Sequence, residues 1–178
     1  GAVSVYVDDA LQVNRLLTLN PLPLWDVEQI EIYRGAQSTT QGRNSLAGAI
    51  VMQTRNPHFD PEFAVRGNVG NYGEQGASAM ANGALVDGVM AGRIAVDYQT
   101  QDGYIDNATL NKDANLLRTS NVRGKLLILP SDEAELLLTL ARTEQRSGVN
   151  AVAATAGKPD YFKLYENTET HNTLEQTT

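Results

Sequence analysis

From residue 62 to about residue 141 this chain repeats with a period of two, and few folds accommodate that. Phe63, Val65, Gly67 and Val69 alternate with Ala64, Arg66, Asn68 and Gly70. Met90, Gly92, Ile94, Val96 and Tyr98 alternate with Ala91, Arg93, Ala95, Asp97 and Gln99. Val122, Gly124, Leu126 and Ile128 alternate with Arg123, Lys125, Leu127 and Leu129, and Leu136, Leu138 and Leu140 with Glu135, Leu137, Thr139 and Ala141. A weaker run, Ala77–Leu85, carries Ala, Gly and Leu on one face. Side chains of a strand point alternately to its two faces, so each run reads as a strand with one apolar side. Soluble strands usually end after about five or six residues. Runs of about ten match a strand tilted across a bilayer.

The connections between the five strands obey a parity. Val86-Asp87-Gly88 and Pro130-Ser131-Asp132-Glu133 are tight turns, whereas residues 102–117 and 142–170 are long polar excursions. Asn71–Glu74 is a modest one. Short turns at one end and longer loops at the other characterise outer-membrane barrels. A soluble β-sandwich also alternates, but nothing in it imposes that asymmetry. Register follows from magnitude. A Lys or Arg facing lipid at mid-bilayer costs about 2–4 kcal/mol, so Arg93, Arg123 and Lys125 are expected to face a polar lumen together.

Composition excludes several alternatives. The 178 residues carry 14 Lys+Arg against 21 Asp+Glu, a net charge of −7, which argues against a nucleic-acid partner. With no cysteine, disulfides, zinc thiolates and cysteine nucleophiles are excluded. The apolar runs fall far short of the roughly 18 residues a membrane helix needs. His58 and His171 are too few and too far apart for a metal site, and both are expected to be solvated. No Ser-His-Asp or paired-acid arrangement stands out. Neither an enzyme, nor a metal, nor a cofactor is expected.

Before the alternating half lies a mixed segment. Val3–Val7 reads as a strand ending at Asp8-Asp9, Ile30–Tyr33 as a strand stopped by Gly35, and Ala49–Thr54 as another strand. Pro21 and Pro23 prevent a regular helix over Leu11–Leu24, while Asp26 is expected to cap one helical turn through Gln29. Asn56-Pro57-His58-Phe59-Asp60-Pro61 reads as an extended linker. Tyr6-Val7-Asp8-Asp9 has the form of a polymerase YxDD turn, but no further carboxylate strand or basic groove accompanies it. A turn whose Asp side chains accept backbone hydrogen bonds accounts for it better.

The strongest local sequence is DVEQIEIYRG at Asp26–Gly35, followed by GRNSLAGAIVMQTRNP at Gly42–Pro57. It resembles the second half of the plug of TonB-dependent outer-membrane receptors. That pattern runs D-[IV]-E-[RQ]-[IV]-E-[IV]-x-R-G, a short loop, then G-R-N-x-x-[AG]-G-A-I and a strand ending near N-P. Tyr6-Val7-Asp8-Asp9 falls where the family has Y-[VI]-D-G. One departure stands out: Ala36–Gly42 lacks the Pro and Tyr that the family usually places after R-G.

The resemblance implies a mainly β chain: the C-terminal part of a plug at 1–56, a linker at 57–61, and the first antiparallel transmembrane strands of a barrel at 62–178. Such barrels have about 22 strands around a plugged lumen, so these strands form an incomplete barrel. It further implies a receptor of the bacterial outer membrane that binds a scarce extracellular ligand, of ferric siderophore, cobalamin or carbohydrate class. The TonB energy-coupling complex then rearranges the plug, acting on a segment expected to precede Gly1. Outer-membrane lipid is the other implied partner. By position in the family, Gln12, Asn14, Arg15 and Trp25, with Tyr104 in an outer loop, are the candidate ligand contacts. Glu31, Arg34 and Arg43 are candidates for docking the plug on the barrel wall. A soluble secreted or periplasmic β-rich binding module is the alternative, and detergent dependence separates the two.

Overall fold

The computed structural model describes residues 3–12, 24–35, 48–109, 111–114, 116–131, 133–148, 163–164 and 171–177, and every described element is a strand. Two sheets carry the architecture, and a small third one sits in the connections.

The first sheet is four-stranded, in the order β2-β1-β4-β3. Its strands are β1 (Val3–Val7), β2 (Ala10–Leu11), β3 (Val27–Arg34) and β4 (Gly48–Thr54). β1 and β4 run parallel, with Val3 opposite Gly48 and Val7 opposite Met52, and the other pairs are antiparallel. β4 is central and is the most buried of the four, with Ala49, Val51, Met52 and Thr54 at its heart. Asp8 and Asp9 both adopt positive φ between β1 and β2, the turn geometry whose twist suits a two-residue hairpin. Gly48 has φ +148°, and a Cβ there would run into the Tyr33 carbonyl of β3. Only glycine permits that approach.

The second sheet is six-stranded, in the order β13-β11-β10-β7-β6-β5. It comprises β5 (Glu62–Val69), β6 (Gln75–Val86), β7 (Met90–Gln101), β10 (Leu117–Ser131), β11 (Ala134–Gly148) and β13 (His171–Thr177). Each strand pairs antiparallel with the next in the order, so among the described residues the sheet is an up-and-down meander with two open edges. Between β7 and β10, β8 (Ile105–Asn107) and β9 (Lys112–Ala114) form a hairpin, and β12 (Lys163–Leu164) joins it in parallel. That small sheet lies at the end of the meander where the connections are long.

The meander separates the two faces as the period of two requires. Ile94, Val96 and Tyr98 of β7 are exposed, whereas Ala91, Arg93, Ala95 and Asp97 are buried. Phe63, Val65, Val122, Leu136, Leu138 and Leu140 extend the exposed apolar face. An apolar surface this broad is costly in water and natural against lipid.

Three expectations need correcting. Asp26 caps no helical turn: its φ is +64° and Val27 directly opens β3. The β-rich sequence of Val27–Arg34, paired along β4, outweighs a weak capping signal. The meander has a sixth strand, β13, which pairs Arg142–Gly148 with residues 171–177. Its polar sequence gives no alternation to read. The paired strands are also longer than the alternating runs, since β10 and β11 each span 15 residues and continue beyond the apolar band.

Candidate functional site

The inner face of the meander is organised in rows across the strands. One row places Glu62, Asn82, Arg93, Lys125 and Thr139 side by side. A second, four residues further along, places Arg66, Ser78, Asp97, Asn121 and Thr143 together. Between them lies a row of Ala64, Met80, Ala95, Arg123 and Ala141. Three cations therefore lie close together on β7 and β10. Their relative exposures of 4% for Arg93, 5% for Arg123 and 6% for Lys125 demand counter-charges.

The first sheet supplies them. Arg93 donates to both carboxylate oxygens of Asp26, from Nε at 3.2 and 3.0 Å and from Nη2 at 2.6 Å. Both side chains are nearly inaccessible, at 2% and 4%. The Arg93 Nη1 donates to Glu62 of its own row at 2.9 Å. Left-handed Asp26 aims its carboxylate at the wall, and its carbonyl accepts the Arg55 amide at 3.1 Å. The guanidinium fork matches the planar carboxylate, which makes this a charge-assisted pair of the stronger kind.

Asp8 holds the second contact. Its carboxylate accepts the Thr54 amide at 2.9 Å and the Thr54 hydroxyl at 2.6 Å, which fixes it against β4. Lys125 Nζ then donates to Asp8 at 3.2 Å, to the Thr54 carbonyl at 2.9 Å and to Asn56 Oδ1 at 2.9 Å, using all three of its protons. Arg123 Nε stands 3.8 Å from Asp8, beyond hydrogen-bond reach, and its Nε and Nη1 have no acceptor. The row it occupies explains this, because its cross-strand neighbours are Ala95 and Ala141.

Trp25 makes a third, neutral contact between the sheets. Its indole N–H donates to the Ala79 carbonyl of β6 at 3.1 Å, and the Arg66 guanidinium lies 4.8 Å above its ring. Arg66 in turn reaches Asp97 at 3.5 Å and Ser78 at 3.2 Å. The segment between β4 and β5 is held by Asn82, which accepts the His58 amide at 3.1 Å and donates to the carbonyls of His58 and Asp60 at 3.0 and 2.8 Å. His58 is exposed, with Nε2 at 3.2 Å from Glu62.

The residues singled out from sequence fall in different places. Trp25 faces the wall. Gln12 closes a local turn, its side chain donating to the Ala10 carbonyl at 3.0 Å. Tyr104 packs on Tyr72, with ring centroids 6.0 Å apart, where the connections after β5 and β7 meet. Asn14, Arg15 and Arg43 lie outside the described residues. Glu31 is held along its own strand, accepting from Gln29 at 2.6 Å and from the Tyr33 hydroxyl. That hydrogen bond, and then the carboxylate charge, raise the Tyr33 phenol above its ordinary range. Arg34 is exposed. Among the described residues the buried cations of the wall are paired across to the first sheet through Asp8 and Asp26, with a more exposed Arg55–Glu62 pair beside them, and not through Glu31 or Arg34.

Three wall cations that turn inward together must be neutralised by something outside their own strands. That requirement was the available signal. A buried cation needs an acid, and Asp8 and Asp26 sit at turns of the segment expected to fill the lumen.

The family model described as TonB-dependent Receptor Plug Domain matches residues 1–49. The pesticin receptor of Yersinia pestis is 31% identical over 133 residues, which cover 74% of this chain and 19% of that protein. The crystal structure of the ferric yersiniabactin uptake receptor from Yersinia pestis aligns with a TM-score of 0.75 at 28% identity, over 83% of this chain and 23% of that one. The ferric-catecholate import receptor of E. coli K12 aligns with a TM-score of 0.74 over 98% of this chain and 28% of that one; at 15% identity this is a likeness of fold. The chain thus spans about a fifth of the length of the curated relative, and its meander is a part of a barrel. Sequence and fold agree, and the chain belongs to the TonB-dependent receptors of the bacterial outer membrane.

Proposed function

We propose that the receptor containing this chain imports a ferric siderophore, with 1–56 serving as part of its plug, 57–61 as the linker and 62–178 as the first staves of its barrel. The observation that carries the reading is the joint between the two sheets. Asp26–Arg93 and Asp8–Lys125 are buried charge contacts, not interdigitated apolar side chains. Such contacts register one body on another, and rehydration of the separated charges offsets part of the cost of parting them. A plug that must shift under a pull from the TonB complex needs a joint of this kind. The ferric ligand named for the yersiniabactin receptor favours an iron chelate over cobalamin or a carbohydrate.

Within this reading, ligand contact belongs to the outer end of the molecule. Tyr104, packed at a tilt against Tyr72, offers an aromatic face there, together with Gln12, Asn14 and Arg15 of the plug. Trp25 contributes by seating the plug on β6. Glu31, Arg34 and Arg43 serve docking against wall strands other than β5–β13. Swapping the charges of one such pair is expected to restore uptake lost in each single reversal; additive losses refute that role.

The direct test is uptake of radiolabelled ferric yersiniabactin and a ferric catecholate by cells expressing the full-length receptor. Accumulation that disappears when TonB is deleted supports the reading. Accumulation independent of TonB, or of neither chelate, refutes it.

A further inference from the structure

We propose that Arg93, Arg123 and Lys125 form an anion-selective site on the channel wall, which the plug covers with Asp8 and Asp26 and uncovers when it moves. The cargo that passes is therefore an anion, such as a chelate bearing carboxylates or phenolates. This rests on the import reading above and deepens it by assigning the charge of the substrate.

Three observations carry the proposal. The first is register. Lys125 lies directly opposite Arg93, and Arg123 is two residues from Lys125 on the same face of β10. Like charges placed side by side in a sheet repel, and nothing in the wall's own row relieves this except Glu62, which Arg93 shares with Arg55 and His58. The second is the source of the counter-charge: Asp8 and Asp26 both belong to the plug sheet and leave with it. The third is Arg123. It is buried, yet Nε and Nη1 have no acceptor, so even the seated plug leaves two donors of a planar fork unused. A buried guanidinium with unused N–H donors on two of its nitrogens is suited to an oxyanion that comes within reach.

Position adds to this. Arg93 lies three residues beyond the start of β7, and Lys125 lies five residues before Pro130 and the turn into β11. Both are therefore near the end of the barrel with the short turns, which is the periplasmic end. An anionic cargo leaving the lumen meets these cations last. As it departs, Asp8 and Asp26 are the acids able to return, so the same trio draws the plug back to its seat.

The test uses the full-length receptor in planar lipid bilayers under a potassium chloride gradient. Loosening the joint with Asp8→Asn and Asp26→Asn together is expected to produce conductance that the unmodified receptor lacks. The reversal potential of that current should show chloride preferred over potassium by about threefold or more, as a cation-lined constriction focuses anions. Adding Arg123→Gln and Lys125→Gln should abolish the preference, and Arg123→Lys with Lys125→Arg should keep it. An absence of conductance in the loosened receptor, equal permeability to the two ions, or a preference indifferent to the Gln substitutions overturns the proposal. The reversal potential of the loosened receptor decides by itself if the Gln variant does not insert. Failure of TonB-dependent uptake would remove the import reading but leave this permeability result standing.

Discussion

Asp26 and Arg93 show how much a single pair can fix. Both are buried and joined through a guanidinium fork, so Arg93→Gln strands the Asp26 carboxylate away from water, whereas Asp26→Asn leaves Arg93 with Glu62. Arg93→Gln is expected to lower the stability of the plug–wall contact by about 3–5 kcal/mol, and Asp26→Asn by less, read as urea-induced release of the plug. Removing both charges together, Asp26→Asn with Arg93→Met, should cost less than Arg93→Gln alone, because no unpaired charge is left and asparagine tolerates the left-handed backbone. If the double variant is as unstable as Arg93→Gln, the pair is not the unit described here. Tyr33 gives a second prediction. Glu31 holds its phenol protonated above the usual range, so any stability from that bond is present below pH 10 and is lost as pH rises through the elevated folded value. Glu31→Gln should bring the Tyr33 titration, followed by ultraviolet difference absorbance, back toward the ordinary phenol range.

At the scale of elements, two strands make opposite demands. β4 must come within reach of β3 at Gly48, where φ is +148° and the Tyr33 carbonyl occupies the space of a side chain. Gly48→Ala should cost about 1–3 kcal/mol of strain and open the β3–β4 edge, visible as faster amide exchange at Ile50 and Ile32. β11 is governed by its two environments instead. Leu138 is exposed on the apolar face, and its neighbour Thr139 points to the other side. Leu138→Arg in the full-length receptor should cost about 2–4 kcal/mol in vesicle-based unfolding, and Thr139→Arg much less. Equal penalties would mean that the strand does not separate lipid from lumen. The alternation in β5, β7 and β10 made these faces legible beforehand, since period-two patterns fix the register wherever one face has a single kind of neighbour. β13 was not legible, because residues 171–177 have no apolar alternation and their place is set by pairing with β11.

The whole molecule is a seated joint on an open wall. Among the described residues the meander ends at β5 on one side and β13 on the other, with unpaired backbone at both edges. An isolated chain of this length therefore should not remain monomeric without detergent, and sedimentation velocity with and without detergent tests that expectation. The same openness explains why some candidate contacts could not be read from the sequence. Ligand contact and docking depend on which surfaces the curved wall and the plug bring together, and no local spacing encodes that.

Alternation and residue identity alone determined that residues beyond 62 form long two-faced strands, that Arg93, Arg123 and Lys125 turn inward, and that Asp26–Pro57 carries the plug pattern. These are local properties: a period, a penalty per charge and a run of motif residues. The tertiary structure decided that Asp8 and Asp26 are the acids those cations meet, and that Trp25 faces the wall. Bringing residues 8 and 125, or 26 and 93, within hydrogen-bond distance is a matter of how one sheet sits upon another. The partner of a buried charge is set by that seating, and sequence neighbours carry no record of it.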